Sequence, residues 1–394
     1  MSKSLKEQII MRILIVSKCP THPTNAGNRR WILAQTEILR ELGNEIYFLY
    51  IDERPLRSSP ADSIIDYEAT KKYWRDHFFY LRISKVEKFY FNVMKQVNMH
   101  FRGGYQSCDV NYPHRLTGLV NNLNTRYKFD ICIVNYYYLT KLFKQISIPK
   151  KVLFTHDCIA YKDLAVGEKT MTIDANNEAK ALQRSPYIFA LQDVEMHYFE
   201  ILSPLSKVYN IYSKYIYHPS MILGNHNMVF LSGSNDYNIN GLRWFLKEIF
   251  TLIKQHFTDA QCIVGGAICT KIVNDNLPDG VKLIGYVDSP KLLYDMGDVA
   301  INPTYQGTGL KIKTFEAISY DKVTMVHPHS MKGVFDKDHS PLYSSANPQE
   351  WLDFLIKLWE TKEIFIEDIK KSNKEYMKKM NEFIVSEYKR FLND

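Results

Sequence analysis

Lys311, Lys313 and Glu316 lie within six residues of one another, directly behind a loop that carries two glycines. The run reads Val299-Ala300-Ile301-Asn302-Pro303, then Thr304-Tyr305-Gln306-Gly307-Thr308-Gly309-Leu310-Lys311-Ile312-Lys313-Thr314-Phe315-Glu316-Ala317. An apolar tetrad closed by proline predicts a short buried strand, the glycines predict a loop, and the remainder predicts a helix that opens on two lysines. A helix N-terminus with free backbone N–H groups and two ammonium groups beside it suits a pyrophosphate. Glu316 follows Lys313 by three residues and so shares its helix face. A carboxylate there, one turn from bound phosphates, is placed to accept hydrogen bonds from ribose hydroxyls. The expected ligand is a nucleoside diphosphate-sugar.

Such a loop needs strands and helices to hold it, and the surrounding pattern supplies them. Around it run apolar segments at 228–231, 262–264, 281–284, 299–302 and 323–326, with helices predicted between them, including 241–257 and 313–320. The first half opens in the same way. Arg12-Ile13-Leu14-Ile15-Val16 reads as a parallel strand, 17–28 as a turn-rich loop, 28–42 as a helix stopped by Gly43, and 45–51 as the next strand. Strands are expected again at 130–134, 151–155 and 208–212, with one long helix over about 174–200. Alternation of this kind implies α/β domains with parallel sheets, whose ligands gather at the carboxyl ends of the strands. The expected division is 11–217 with a helical, basic insertion at about 62–124, a linker at 218–227, a second domain at 228–375, and a final helix at 376–394 that packs back on the first domain.

Bulk properties narrow the class. A chain of 394 residues with 45% hydrophobic and 24% charged residues suits two soluble globular domains. It contains no apolar run of about 18 residues, so no transmembrane helix is expected, and residues 1–10 read as an extension rather than a secretory signal. Six scattered cysteines without a Cys-x-x-Cys pair suit reduced core thiols in a cytoplasmic protein. The net charge is +7, yet 71–104 alone holds eight Lys/Arg against two acids. The rest is nearly neutral, which argues against a nucleic-acid-binding protein. In that segment Trp74, Phe78, Phe79, Tyr80, Phe89, Tyr90 and Phe91 interleave with the charges. Two readings stand: peripheral contact with an anionic membrane, or an insertion that packs its rings inward and its charges outward.

Gly309-Leu310-Lys311-Ile312-Lys313-Thr314-Phe315-Glu316-Ala317 and Gly233-Ser234-Asn235-Asp236-Tyr237-Asn238-Ile239-Asn240-Gly241-Leu242-Arg243-Trp244-Phe245 together resemble the C-terminal domain of retaining glycosyltransferases of the family-four type. The resembling subgroup makes polysaccharides and glycolipids. The resemblance implies a GT-B fold, two Rossmann-like doubly wound parallel-sheet domains facing each other across a cleft. It implies that Glu316 binds the donor ribose and that Lys311 and Lys313 neutralise the leaving diphosphate. Many relatives carry a second glutamate eight residues before the first, where this chain has Thr308, and Arg and Lys in the loop after the domain's first strand, where it offers Ser234 and Asn240.

The same resemblance extends the site. Gly307, Thr308, Gly309 and Leu310 form the donor loop, Gly233, Ser234 and Asn235 the turn after the first strand, and Gly265 with Tyr286 and Val287 the nucleotide side. In the first domain Gly27 and Arg30 match a glycine-bearing loop followed by arginine, and His156-Asp157 match a pair near the reacting sugar. A plain turn accounts for Gly27 equally well, and a capping turn for His156-Asp157. Catalytic roles are expected for His156, Asp157, Lys311 and Lys313. Neither metal nor cofactor is expected, because the lysines supply the positive charge and His327-Pro328-His329 offers two ligands only. The implied reaction is retaining transfer of a sugar to a glycan or to a polyprenyl- or other lipid-linked acceptor in bacterial surface polysaccharide synthesis (O-antigen, capsule or lipopolysaccharide type). The implied place is the cytoplasm or the inner face of its membrane. A sugar-nucleotide epimerase on the same fold, and a non-catalytic donor-binding subunit, remain open.

Overall fold

The structure, a computed structural model, describes residues 10–24, 27–53, 65–166, 173–360 and 364–394. They form two compact units, residues 1–213 with 384–394, and 214–383. The first holds seven strands: β1 Arg12–Ser17, β2 Glu45–Asp52, β3 Phe78–Arg82, β4 Ile131–Asn135, β5 Lys150–Phe154, β6 Tyr187–Ala190 and β7 Lys207–Asn210. All pair in parallel, in the order β3-β2-β1-β4-β5-β6-β7. The second holds β8 Asn227–Leu231, β9 Gln261–Gly265, β10 Val281–Gly285, β11 Val299–Asn302, β12 Val323–Val326 and β13 Leu342–Ser344, also parallel, in the order β10-β9-β8-β11-β12-β13. Counted from its own first strand, each sheet runs 3-2-1-4-5-6, the doubly wound order, with a seventh strand added at the end of the first. The two units have the GT-B architecture.

The strands are central because they are apolar on both faces. Ile13 to Val16, Phe48, Leu49 and Val152 to Phe154 are fully buried, as are Met228, Val264, Val299 and Met325 in the second sheet. Helices cover both faces. Helix Gly27–Glu41 lies between β1 and β2 and stops where Gly43 takes φ +82°, the left-handed conformation a helix end needs. Helix Pro348–Glu360 starts on proline, with Asn347 Oδ1 accepting from the Gln349 N–H at 3.0 Å, and buries Trp351 completely. In the first unit the chain end buries Tyr388 and Phe391, the latter edge-on to Phe189 at 4.8 Å. All six cysteines are buried and unpaired.

Two expectations fail. Residues 174–200 are not one helix but helix Ala175–Leu182, strand β6 and helix Asp193–Leu202. Tyr187-Ile188-Phe189-Ala190 is sandwiched between β5 and β7, so it shows no alternation and merges with the helical patterns on either side. Only Ser185-Pro186 marked the break. Likewise 62–124 is not wholly helical, because Phe78–Arg82 leaves the helix Tyr67–Trp74 and pairs with β2 as the edge strand. Residues 1–9, 25–26 and 54–64 lie outside the described residues.

Within the second unit, helix Asp236–Trp244 meets the loop after β11 without room to spare. A Cβ on Gly241 would stand 2.9 Å from both Pro303 O and Thr304 Cα. We therefore expect Gly241→Val to destabilise the protein by about 1–3 kcal/mol in urea titrations. Gly118→Ala, where a Cβ meets nothing within 4 Å in helix Leu116–Tyr127, should instead stabilise it by about 0.5–1 kcal/mol.

Candidate functional site

The second sheet reverses its strand order between β8 and β11, so the connections that leave these two strands diverge and open a crevice at their carboxyl ends. The loops at that point are 232–235 after β8 and 303–311 after β11. Gly307 and Gly309 take φ +89° and +73°, a region open to glycine at no steric cost. A Cβ on Gly307 would press to 2.9 Å from the Tyr237 ring. From the turn after β12, His329 Nε2 donates to Gly307 O at 2.7 Å and Ser330 Oγ donates to Thr304 O at 2.8 Å. The loop is thus clamped at two points.

Lys313, in the first turn of helix Ile312–Ser319, spans the crevice. Its Nζ donates to Ser232 Oγ at 3.1 Å and to Asn238 Oδ1 at 2.5 Å, and lies 4.9 Å from the centre of the Phe230 ring. No carboxylate pairs with it at salt-bridge distance among the described residues. Burial and, secondarily, the Lys311 ammonium push its pKa down to about 7, with Glu316 opposing. Lys311 Nζ donates to Thr308 O at 3.0 Å and Gly309 O at 3.4 Å, which holds a second cation over the loop. Thr308 Oγ1, where relatives place a glutamate, is buried with no hydrogen-bond partner. No side chain caps the helix that begins at Ile312, and Glu316 is half-buried one turn in.

The other second-unit candidates divide. Asn235 Oδ1 accepts from the Asn238 N–H at 2.9 Å, so its side chain serves as the helix cap. Gly233 O accepts from Asn238 Nδ2 at 3.2 Å, and Ser234 is half-buried beside it. Gly265 ends β9 with only an ordinary backbone conformation. Gly266 is the demanding glycine, at φ +97° with a would-be Cβ 2.4 Å from Ser232 O. Tyr286 is 77% exposed after β10 and Val287 half-buried. Leu310 is half-buried in the 303–311 loop.

The first unit has its own reversal, between β1 and β4. Helix Gly27–Glu41 begins there, while Asn25 and Ala26 of the predicted loop lie outside the described residues. Asn28 Nδ2 donates to Tyr136 Oη at 3.3 Å, and the Tyr136 ring stacks on His156 at 4.4 Å. The start of that helix and His156 are therefore neighbours through Tyr136. Arg30 is exposed and donates to Thr24 O, whereas Arg29 is buried and donates to Pro23 O. His156 takes φ +65°, and its Nε2 lies 2.6 Å from Asn135 Oδ1, an amide oxygen that can only accept. Nε2 thus carries the proton and Nδ1 is left as an acceptor. Burial lowers the pKa of His156 to about 3, so the ring is neutral. Asp157 accepts from the Cys158 N–H at 3.0 Å and from Lys162 Nζ at 2.8 Å. Both His156 and Asp157 do form the turn at the end of β5. Glu195, buried behind them, has its pKa raised to about 7 by burial and then by Asp157. A cavity of about 810 Å³ also lies in this unit and is lined by His22, Arg40 and Lys72, but by none of the candidate residues.

Sequence reading missed Ser232, Asn238, Tyr136, Asn135 and His329. Asn238 lay inside the quoted block, yet its use became visible only once Lys313, 75 residues away, was seen to reach it. Tyr136 at φ +72° gave no local sign. Among the described residues no group of three or more His, Cys, Asp or Glu could hold a metal ion, and no helix is long and apolar enough to cross a membrane.

Comparison with known proteins agrees with this architecture. Residues 225–361 match the family model described as glycosyl transferases group 1. A curated relative, an uncharacterized 44.6 kDa protein in the cps region of Klebsiella pneumoniae, is 21% identical over 343 residues, covering 78% of this chain and 80% of that protein. Among solved structures, sucrose-phosphate synthase from Thermosynechococcus elongatus aligns with a TM-score of 0.65 at 12% identity, over 97% of this chain and 98% of that one. HepE from Anabaena in complex with UDP aligns with a TM-score of 0.60 at 12% identity, over 96% and 100%. TarM of S. aureus, in complex with fondaparinux, alpha-GlcNAc-glycerol and UDP, aligns with a TM-score of 0.65 at 10% identity, over 98% and 100%. The doubly wound pair of sheets gives the chain the GT-B fold, and within its second unit residues 225–361 match the glycosyl transferases group 1 model.

Proposed function

We propose that the protein is a retaining, metal-independent glycosyltransferase. It moves a sugar from a nucleoside diphosphate-sugar to a glycan or lipid-linked acceptor in bacterial surface polysaccharide synthesis, working in the cytoplasm at the membrane that carries the acceptor. The observation that carries this reading is Lys313. It is an ammonium held at a switch point by two neutral oxygens, beside a glycine loop and a second lysine, with no carboxylate paired to it among the described residues. A diphosphate is the counter-ion such a site lacks. Complexes of similarly folded proteins with UDP, and a relative from a cps region, support the choice of donor and pathway class.

In this mechanism the donor diphosphate lies along the 307–311 loop with Lys311 and Lys313 against its oxygens, and Glu316 accepts from the ribose. As the glycosidic bond to phosphate breaks, negative charge grows on the leaving diphosphate, and fixed ammonium groups lower that barrier without reorganising. The acceptor hydroxyl attacks from the face the phosphate leaves, and the departing phosphate oxygen takes its proton. Neutral His156 contributes Nδ1 as an acceptor for a sugar hydroxyl, while Asp157 holds the turn that presents it. Lys311 and Lys313 take the place of a metal.

The decisive experiment incubates the protein with a panel of nucleotide-sugars, following thermal shift, donor hydrolysis and product anomers. A shift with slow hydrolysis, and an axial product from an axial donor, is expected. Binding without turnover in the presence of lipid-linked and glycan acceptors overturns the catalytic reading, and free sugar-nucleotide epimers overturn transfer in favour of isomerisation.

Three results follow from the site. Glu316→Ala should weaken nucleotide binding about 10- to 100-fold, the loss of one or two charge-assisted hydrogen bonds, with an unchanged circular-dichroism spectrum. Replacing Lys311 and Lys313 together by Ala should abolish the preference for UDP over UMP in calorimetric titrations. Because the Lys313 pKa is lowered to about 7, the free site holds its proton below pH 7 and loses it above. A bound diphosphate favours the protonated form, so affinity should fall by about tenfold between pH 7 and 9. In Lys313→Gln that dependence should be flat.

A further inference from the structure

Helix Lys85–Phe101 is turned the unexpected way round. It is well anchored: Ser84 and Glu87 form a reciprocal capping box at its start, and Glu87 also pairs with Arg115 at 3.2 Å. Its buried residues are Glu87, Phe91 and Asn98, so two of the three groups it turns inward are polar. Six of its apolar residues face water. Val86, Phe89, Tyr90, Val93, Val97 and Phe101 are all exposed, with Val86, Phe89 and Phe101 at 78%, 71% and 78%. Their spacing of three and four residues places them in one stripe along a single helix face, about 22 Å long at 1.5 Å per residue. An insertion that packs its rings inward would bury this stripe, and the helix does not.

The charges of the same helix say what covers the stripe. Lys85 borders it, Lys88 and Lys95 lie on the other side of the helix and Arg102 caps its end, while the helix's one acidic residue, Glu87, is buried and already paired. We propose that this face of helix Lys85–Phe101 is an interfacial surface that docks on a lipid bilayer bearing anionic headgroups, with Phe89, Val93 and Phe101 entering the headgroup–acyl boundary. Phenylalanine and valine on one side and lysine on the other are what such a helix needs, and each lysine near an anionic leaflet adds to the attraction. A second copy of the chain fits less well, because an isologous contact would bring together two helices that each carry a net positive charge.

This inference goes beyond the glycosyl-transfer reading and does not depend on it, since vesicle binding is read without a nucleotide-sugar. The test is flotation of the full chain with vesicles of phosphatidylcholine alone or mixed with phosphatidylglycerol. Binding is expected only to the mixed vesicles, weakening as salt rises. Combined Phe89→Ser, Val93→Ser and Phe101→Ser should lower the partition coefficient at least about tenfold, and combined Lys85→Gln, Lys88→Gln and Lys95→Gln about as much. Thermal melting and UDP binding of both variants should stay at the wild-type values. No binding to either vesicle, or equal binding to both, overturns the proposal. So does a dimer in sedimentation velocity that the serine variant dissolves, because the stripe is then covered by a second copy.

Discussion

One ammonium group joins the two loops that the second sheet pulls apart. β8 and β11 are neighbours whose connections leave in opposite directions, and side chains must tie the segments beyond them. Lys313 does so through Ser232 and Asn238. Its position depends on the first turn of helix Ile312–Ser319, on the φ angles of Gly307 and Gly309, and on Asn235 fixing the helix that carries Asn238. Partial burial of the cation without a carboxylate is costly. It persists because two oxygens and a ring face meet it.

The clamp on the far side of the loop has a different origin. His329 and Ser330 come from the turn after β12 and hold Gly307 and Thr304 by their carbonyl oxygens. The positive-φ glycines and the packing of Tyr237 under Gly307 leave little freedom for another conformation. A loop held in this way is organised before any ligand arrives, which lowers the ordering cost of binding. In the first unit the comparable restraint is aromatic: Tyr136 and Phe154 enclose His156, and that enclosure is what keeps the imidazole neutral.

Legibility differed from element to element. β11 with its loop and helix could be read directly, because an apolar tetrad, a proline, two glycines and two lysines occur in contiguous order. β6 could not, because a strand buried between two others has no periodicity of its own and lay between two helices. β3 was hidden by a charged, aromatic segment that suggests helix. The lysines of the site were visible for the same reason that their partners were not. Lys313 sits in a motif, whereas Ser232 and Asn238 are 81 and 75 residues away and become partners only through the parallel register of β8 beside β11.

Sequence alone determined the parallel α/β class, the glycine loop with its two lysines, and the concentration of positive charge at 71–104. Each depends on residue type and short-range spacing, which local sterics and charge translate directly. Only the tertiary structure decided that Lys313 is a half-buried cation without a paired carboxylate among the described residues, that His156 has Nδ1 and not Nε2 to offer, and that helix Lys85–Phe101 shows its apolar stripe to water. A helical pattern reveals that a stripe exists. Which way it faces depends on what packs against the other side, here the side that carries the buried Glu87, Phe91 and Asn98.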